Sequence, residues 1–402
     1  MDQVTQTEAR NKDDEAEATS HVGAQRPKSA GSGNRYRRKI ERLLEGTDVR
    51  LNGDRRWDVR VHDERFYRRV LAEASLGLGE SYMDGWWDCD RIDEMLTRIL
   101  SAGLDRKMVA RVLALDIVRA KLLNLQSKRR AFTIGEEHYD IGNDLYERML
   151  DSGMNYSCGY WKNARTLDEA QQAKIDLAAR KLKLEPGMRV LDIGCGWGGA
   201  ARFIAERYGC EVVGVTVSRE QVAYAEEHHS HLPVDIRLQD YRDIDETFDR
   251  IISIGMFEHV GAKNYATFMN TVRGLLADDG LFLLHTIGGN RSVHQGDPWM
   301  SRYIFPNSML PSAKQITTAA EGLFVMEDWH NFGAHYDTTL LHWVENFDAA
   351  WPELKDTYGE RFYRMWKYYL LSSAAGFRAR KNQLWQIVFS PHGVSGGYES
   401  IR

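Results

Sequence analysis

Between Val190 and Gly199 the chain reads VLDIGCGWGG, a short apolar run that passes through Asp192 into glycines at Gly194, Gly196 and Gly198. Glycine tolerates positive φ and presents no Cβ, so a nucleotide can lie against bare backbone at the mouth of the helix that follows. A strand that ends this way constrains everything around it to an α/β arrangement with a ligand at the strand's carboxyl end. Gly194, Gly196 and Gly199 also satisfy G-x-G-x-x-G, which alone does not separate NAD from S-adenosylmethionine. The flanks separate them. A nicotinamide site expects an acid about 20 residues on, at the end of the next strand, but that strand, EVVGVTVS, ends at Thr216 and Ser218. Asp192 stands inside the loop, where a carboxylate suits the cationic methionine end of S-adenosylmethionine. Asp240 follows a third strand, IRLQDY, placed to accept from an adenine amine. These residues favour S-adenosylmethionine over NAD; the plain alternative is a tight strand-to-helix turn with no ligand.

Around this loop the chain divides in three. Residues 1–35 are polar, rich in Ala, Gly, Ser and Gln, without apolar periodicity, and are expected to be a disordered tail. Residues 36–125 read as a small α+β domain: a short helix closed by Gly46, a hairpin around Asn52-Gly53, the glycine- and aromatic-rich LGLGESYMDGWWDCD, and the helix DRIDEMLTRILSAG. Residues 126–402 alternate strands and helices at lengths that predict a doubly wound, Rossmann-like parallel sheet covered on both faces, with helices inserted beyond His285. The strand LWQIVFS closes it, and the glycine-rich SPHGVSGGYESIR reads as a mobile end.

A chain of 402 residues with net charge −5 carries no global signature of nucleic-acid binding. No run approaches the roughly 18 apolar residues of a membrane span, and the N-terminus shows no apolar signal core. Cys89, Cys158, Cys195 and Cys210 lack metal-site spacing, which predicts no metal and fits a reducing cytoplasm. From Arg106 to Arg130, Lys and Arg greatly outnumber acids and interleave with apolar residues at helical spacing. Such a helix suits an anionic bilayer, each cation contributing about 1 kcal/mol, and equally suits an interdomain helix with a solvated face.

Ligands of such sheets bind beyond the strands' carboxyl ends. The strand ends here bring Asp192, Thr216, Asp240, the stretch from Gly255 to His259, His285 and Ile287 to one crevice, so Glu258 and His285 are expected to converge. A lone histidine on an apolar strand is ordinarily a core residue satisfied by backbone; its place at a strand end makes His285 a functional candidate.

These residues, together with HYDIGNDLYERMLDSGMNYSCGYW, IISIGMFEHVG, LLHTIGG, YIFPNSMLPS and MEDWHNFGAHYDTTLLHW, closely resemble the cyclopropane-fatty-acyl-phospholipid synthase family, nearly throughout the chain after Tyr36. The likeness includes the first domain, which the related mycolic acid methyltransferases lack. It implies an S-adenosylmethionine-dependent methyltransferase fold and transfer of the methyl carbon to the cis double bond of an unsaturated phospholipid acyl chain, leaving a cyclopropane ring. It also implies a bound bicarbonate as general base, held by Cys158, Glu258, His285, Ile287 and Tyr336. For Cys158 the ordinary reading is a small buried thiol acting through its backbone. The implied cofactor positions are Tyr156, Ser157, Asp192, Gly194, Gly196, Thr216, Ser218, Gln221, Gln239, Asp240 and Tyr241. The family likeness further implies a homodimer, peripheral to the inner face of the membrane, whose first domain captures lipid and contacts the second subunit. One position departs from the family: a cysteine common in the helix before FRAR is Ser373 here, and serine offers no thiolate at neutral pH. The rival readings are a methyltransferase that leaves a methyl branch on the acyl chain or methylates a small amine, and a non-enzymatic lipid carrier, which leaves the cofactor loop unexplained.

Overall fold

The computed structural model describes residues 30–104, 142–293 and 295–402. The basic segment from Arg106 to Arg130 and the boundary at 125/126 lie outside the described residues. The first helix, α1 (Ala30–Leu44), begins inside the stretch read as a tail.

The catalytic part is built on a sheet of β3 (Arg189–Ile193), β4 (Glu211–Thr216), β5 (Val234–Leu238), β6 (Phe248–Ile254), β7 (Leu276–Gly289), β8 (Val325–Asn331) and β9 (Asn382–Ser390). Its strand order is β5-β4-β3-β6-β7-β9-β8. The expected parallel sheet is present from β5 to β7. The far edge corrects that expectation: β9 runs antiparallel to both β7 and β8, so the sheet is mixed. The connection explains it. The helical stretch α12 (Ala334–Arg378) breaks at Gly359, where φ is +75°, and its two arms fold back on each other, Trp351 on Tyr363 at 4.8 Å and Lys367 on Asp348 at 2.7 Å. A helical hairpin returns the chain to the end it left, so the next strand pairs antiparallel.

Flanking helices follow from local sequence. Helix α6 (Leu167–Lys181) opens with a capping box between Thr166 and Glu169. Helix α7 (Gly199–Tyr208) starts directly from the glycine loop, where Gly194, Gly196 and Gly198 adopt φ of +82°, +58° and +83°. A Cβ on Gly199 would overlap the carbonyl oxygen of Gly153, so glycine there permits close packing between helix and loop.

The first domain differs from its sequence reading at two places. No hairpin forms at Asn52-Gly53. Asp58 instead gathers the polar run, accepting from the amides of Arg50 (2.8 Å) and Arg55 (3.1 Å), and β1 (Arg60–Val61) pairs with β2 (Trp87–Asp88). The glycine-rich stretch is helical, α3 (Ser75–Met83), and its glycines serve contact: a Cβ on Gly79 would strike the Trp299 indole. One apolar cluster runs from Ile40 and Trp87 through Trp299 and Tyr368 to Leu384, joining this domain to α12. Arg364 reinforces the seam by donating to the carbonyl of Trp87 (2.9 Å) and to Asp88 (2.7 Å), and Arg378 donates to Asp93 (2.7 Å).

The C-terminus is also tied down rather than loose. The Tyr398 hydroxyl donates to the Lys181 carbonyl at 2.8 Å, while Ser400 (2.9 Å) and Arg402 (2.6 Å) both donate to Asp328. No helix among the described residues is long and apolar enough to cross a membrane.

Candidate active site

A cavity opens at the carboxyl ends of β3, β4 and β6, walled by the glycine loop, by the segment from Met154 to Ser157 and by the turn after β6. Of the expected cofactor residues, Tyr156, Ser157, Asp192, Gly194, Gly196, Thr216, Gln221, Gln239, Asp240 and Tyr241 line it. Ser218 does not: its hydroxyl caps α8 (Arg219–His229) by accepting from the Gln221 amide at 3.3 Å. Thr216 donates to Gln221 Oε1 at 2.6 Å, and Asp240 is held by the Arg242 guanidinium at 2.6–2.7 Å.

Asp192 is buried with its Oδ1 lacking a hydrogen-bond partner. Burial pushes its carboxyl up to about 7, against the pull of the Lys174 ammonium. A buried acceptor of this kind, beside backbone that no Cβ shields, suits a cationic amino-acid end of a nucleoside. Opposite, Met154 to Ser157 wall the cavity, and the residues around them are held by hydrogen bonds. Asp151 accepts from the amides of Gly153 (3.0 Å) and Asn155 (2.9 Å), and Gln171 on α6 donates to the Ser157 carbonyl at 2.7 Å.

The candidate catalytic residues lie beside the cavity rather than in its lining. The turn after β6 sends His259 and Met256 into the cavity wall, while Glu258 reaches back to accept from the Ile287 amide at 2.6 Å. His285 stands two residues earlier on β7, opposite Ile254 of β6. The convergence of Glu258, His285 and Ile287 expected from strand ends is therefore present. Gln386 on β9 approaches His285 Nδ1 at 3.3 Å through its amide nitrogen, which makes Nδ1 the acceptor and leaves the ring proton on Nε2. That Nε2 is buried and unpartnered, as is Glu258 Oε2, so His285 is not a core histidine satisfied by backbone. Burial pushes Glu258 up to about 7, and burial with the nearby lysines drives His285 well below its ordinary value, so its imidazole is neutral.

Cys158 and Tyr336 are both placed by α12. Cys158 is fully buried, its thiol pushed up by burial, and it meets Thr339 Oγ1 at 3.8 Å, one turn along α12 from Tyr336. Tyr336 packs on Phe377 (4.6 Å) and Trp343 (6.0 Å), and Trp343 packs on Tyr156 (5.3 Å). A run of packed rings thus leads from Tyr156 on the cofactor cavity to Tyr336, while His285 packs on Phe332 at 5.8 Å. Glu258 Oε2 is thus an unpartnered acceptor and His285 Nε2–H an unpartnered donor, both buried.

Sequence reasoning missed Lys174, Met154, Asn155 and Trp197, all of which line the cavity, whereas His259 lies in the stretch it had placed there. Lys174 had a signal, a cation within the apolar stripe of α6; the others are brought in by loops whose course no periodicity reveals.

The family model of mycolic acid cyclopropane synthetase matches residues 126–387. The chain belongs to the mycolic acid cyclopropane synthetase family. Among curated relatives of this family member, the cyclopropane-fatty-acyl-phospholipid synthase of Escherichia coli strain K12 is 55% identical over 361 residues, covering 90% of this chain and 94% of that one. That alignment is longer than everything from residue 126 to the end, so it extends into the first domain. Solved structures resemble the catalytic part. The cyclopropane synthase MmaA2 from Mycobacterium tuberculosis is 32% identical with a TM-score of 0.60, covering 64% of this chain and 97% of that one. The mycolic acid cyclopropane synthase CmaA1, solved with SAH and CTAB, is 34% identical with the same TM-score of 0.60 and the same coverage of 64% and 97%. The fold is that of an S-adenosylmethionine-dependent methyltransferase, and the chain is an enzyme of that class.

Proposed function

We propose that this enzyme transfers the methyl carbon of S-adenosylmethionine to the cis double bond of an unsaturated phospholipid acyl chain and closes a cyclopropane ring. The observation that carries this reading is the pairing of a nucleoside cavity holding an unpartnered buried Asp192 with an adjacent buried cluster whose Glu258 and His285 each keep one free polar atom. The 55% identity to the Escherichia coli synthase across both domains supports the same substrate class.

An isolated alkene is a weak nucleophile, so the sulfonium methyl must be held in line with it; orientation of this kind can supply roughly 7–11 kcal/mol. The π electrons form the new C–C bond as the S–C bond breaks, releasing S-adenosylhomocysteine and leaving a carbocation. Tyr156, Trp343 and Tyr336 present aromatic faces in a buried setting, where a cation gains about 2 kcal/mol and water is kept away. Ring closure then requires loss of one proton from the former methyl carbon. Bicarbonate held here would supply a general base that is exchangeable, so that its capture by the carbocation would leave no protein side chain alkylated. Glu258 would orient it through its O–H, with His285 Nε2 and Tyr336 as donors and the Ile287 and Cys158 positions framing the site. A phospholipid substrate places the enzyme at a membrane surface, with the first domain as the lipid-capturing and subunit-contacting element.

The test is purified protein with methyl-labelled S-adenosylmethionine and vesicles of cis-monounsaturated phosphatidylglycerol and phosphatidylethanolamine, followed by proton NMR of the lipid. Upfield ring-hydrogen signals with release of S-adenosylhomocysteine are expected. Label in the lipid without those signals would establish a branching methyltransferase instead, and no label in lipid would point to a small-molecule acceptor.

A further inference from the structure

Lys174 is a charged group to which the reaction above gives no task. It sits on the buried side of α6, 1% exposed, and lines the cavity with Ser157 and Asp192. A cation is not placed there without compensation, because desolvating it costs several kcal/mol unless partners repay the loss. Its Nζ donates to Ser157 Oγ at 2.9 Å. Asp151, the other carboxylate near it, is already engaged by two amides and by Asn155 Nδ2 at 2.7 Å.

An ammonium has only donors. Ser157 Oγ must therefore accept from Lys174, and its single O–H is left to donate elsewhere, from a residue that lines the cavity. Asp192 Oδ1, buried and unpartnered on the same cavity, is an acceptor. A donor and an acceptor held this way match the two charged groups of an α-amino acid, its carboxylate and its ammonium.

We propose that Lys174 is the positioning residue for the amino-acid end of the methyl donor: it fixes Ser157 as a donor to the carboxylate and balances the Asp192 charge that receives the ammonium. The inference rests on the methyl-donor reading above and adds to it the residue that selects the nucleoside's amino-acid tail.

Calorimetry with two ligands tests it. S-adenosylhomocysteine carries the amino-acid end; 5′-methylthioadenosine has the same nucleoside and sulfur without it. In Lys174→Met the affinity for S-adenosylhomocysteine is expected to fall at least about tenfold, and that for 5′-methylthioadenosine to change by less than about twofold. Ser157→Ala should produce a selective loss in the same direction, and the double variant should lose no more than Lys174→Met alone. A Lys174→Met protein that weakens both ligands equally, or neither, overturns the inference. Should that variant fail to fold, an unchanged ligand ratio in Ser157→Ala overturns it as well. Wild-type protein that binds neither ligand overturns the methyl-donor reading itself, whereas wild type that binds both with a ratio indifferent to Lys174 overturns this inference alone.

Discussion

Replacing Glu258 with Gln removes one charge and exchanges one acceptor for a donor at nearly constant shape. The bond that Oε1 accepts from the Ile287 amide, 2.6 Å long, survives, because the glutamine carbonyl can accept it too. What changes is the unpartnered Oε2: a carboxylate oxygen there receives an O–H, and an NH2 group does not. A positioned base contributes about 10²–10⁴ in rate, or about 2.7–5.4 kcal/mol of activation free energy. Ring formation in Glu258→Gln should slow by that factor. Glu258 does not line the nucleoside cavity, so affinity for S-adenosylhomocysteine should stay at the wild-type value. The same substitution has a stability signature. Burial lifts the Glu258 carboxyl from 4.5 to about 7, so between those values the folded state binds more protons than the unfolded chain and stability falls as pH rises. The loss accumulated once the group is ionised is on the order of 3 kcal/mol. Glutamine has no proton to lose, so in urea unfolding the variant should gain on wild type by that order between about pH 5 and about pH 8. Label transfer to lipid, calorimetry and urea titration at the two pH values read all three quantities. Normal turnover in the variant, or a turnover loss matched by an equal loss of nucleoside affinity, refutes the role of Glu258; a stability difference that stays flat with pH refutes its buried ionisation.

Other substitutions probe the remaining parts. Asp192, lifted by burial to about 7, must ionise to receive a cation, so affinity for S-adenosylhomocysteine should rise with pH through that value; Asp192→Asn should weaken binding by about 1.5–3 kcal/mol and abolish the pH dependence in calorimetry. Arg378 bridges Asp93 (2.7 Å) to Asp337 (2.8 Å) across the seam between the first domain and α12. Arg378→Met leaves Asp93 with Arg91 and should cost about 1–3 kcal/mol in urea unfolding; an unchanged midpoint would show that the seam is held by apolar packing alone. A Cβ on Gly288 would lie inside the Trp385 indole across the β7–β9 pair, so Gly288→Ala should lose about 1–3 kcal/mol or more from overpacking and, through neighbouring Ile287, should reduce turnover.

How much of this was legible in the sequence depends on how each element is specified. The glycine loop, α7 and strands β3 and β4 announce themselves through local chemistry: apolar runs buried on both faces and glycines at positive φ. The convergence of Glu258 with Ile287 was legible only through topology, because adjacent parallel strands bring their carboxyl ends together whatever the sequence between them. Strand β8 was not, since MEDWHN shows no alternation: an edge strand takes its shape from β9, a partner more than 50 residues away. For the same reason the antiparallel edge of the sheet was invisible until Gly359 was seen to turn α12 into a hairpin. Lys174 is the instructive middle case. Periodicity treats a lysine among Ala170, Ile175, Leu177 and Ala178 as an interruption of a buried stripe. Its cost in such a place argues the opposite, for a cation survives burial only where acceptors wait for it. In this chain those acceptors are Ser157 and the field of Asp151 and Asp192, so the residue that breaks the helical pattern is the one that points from the helix into the site.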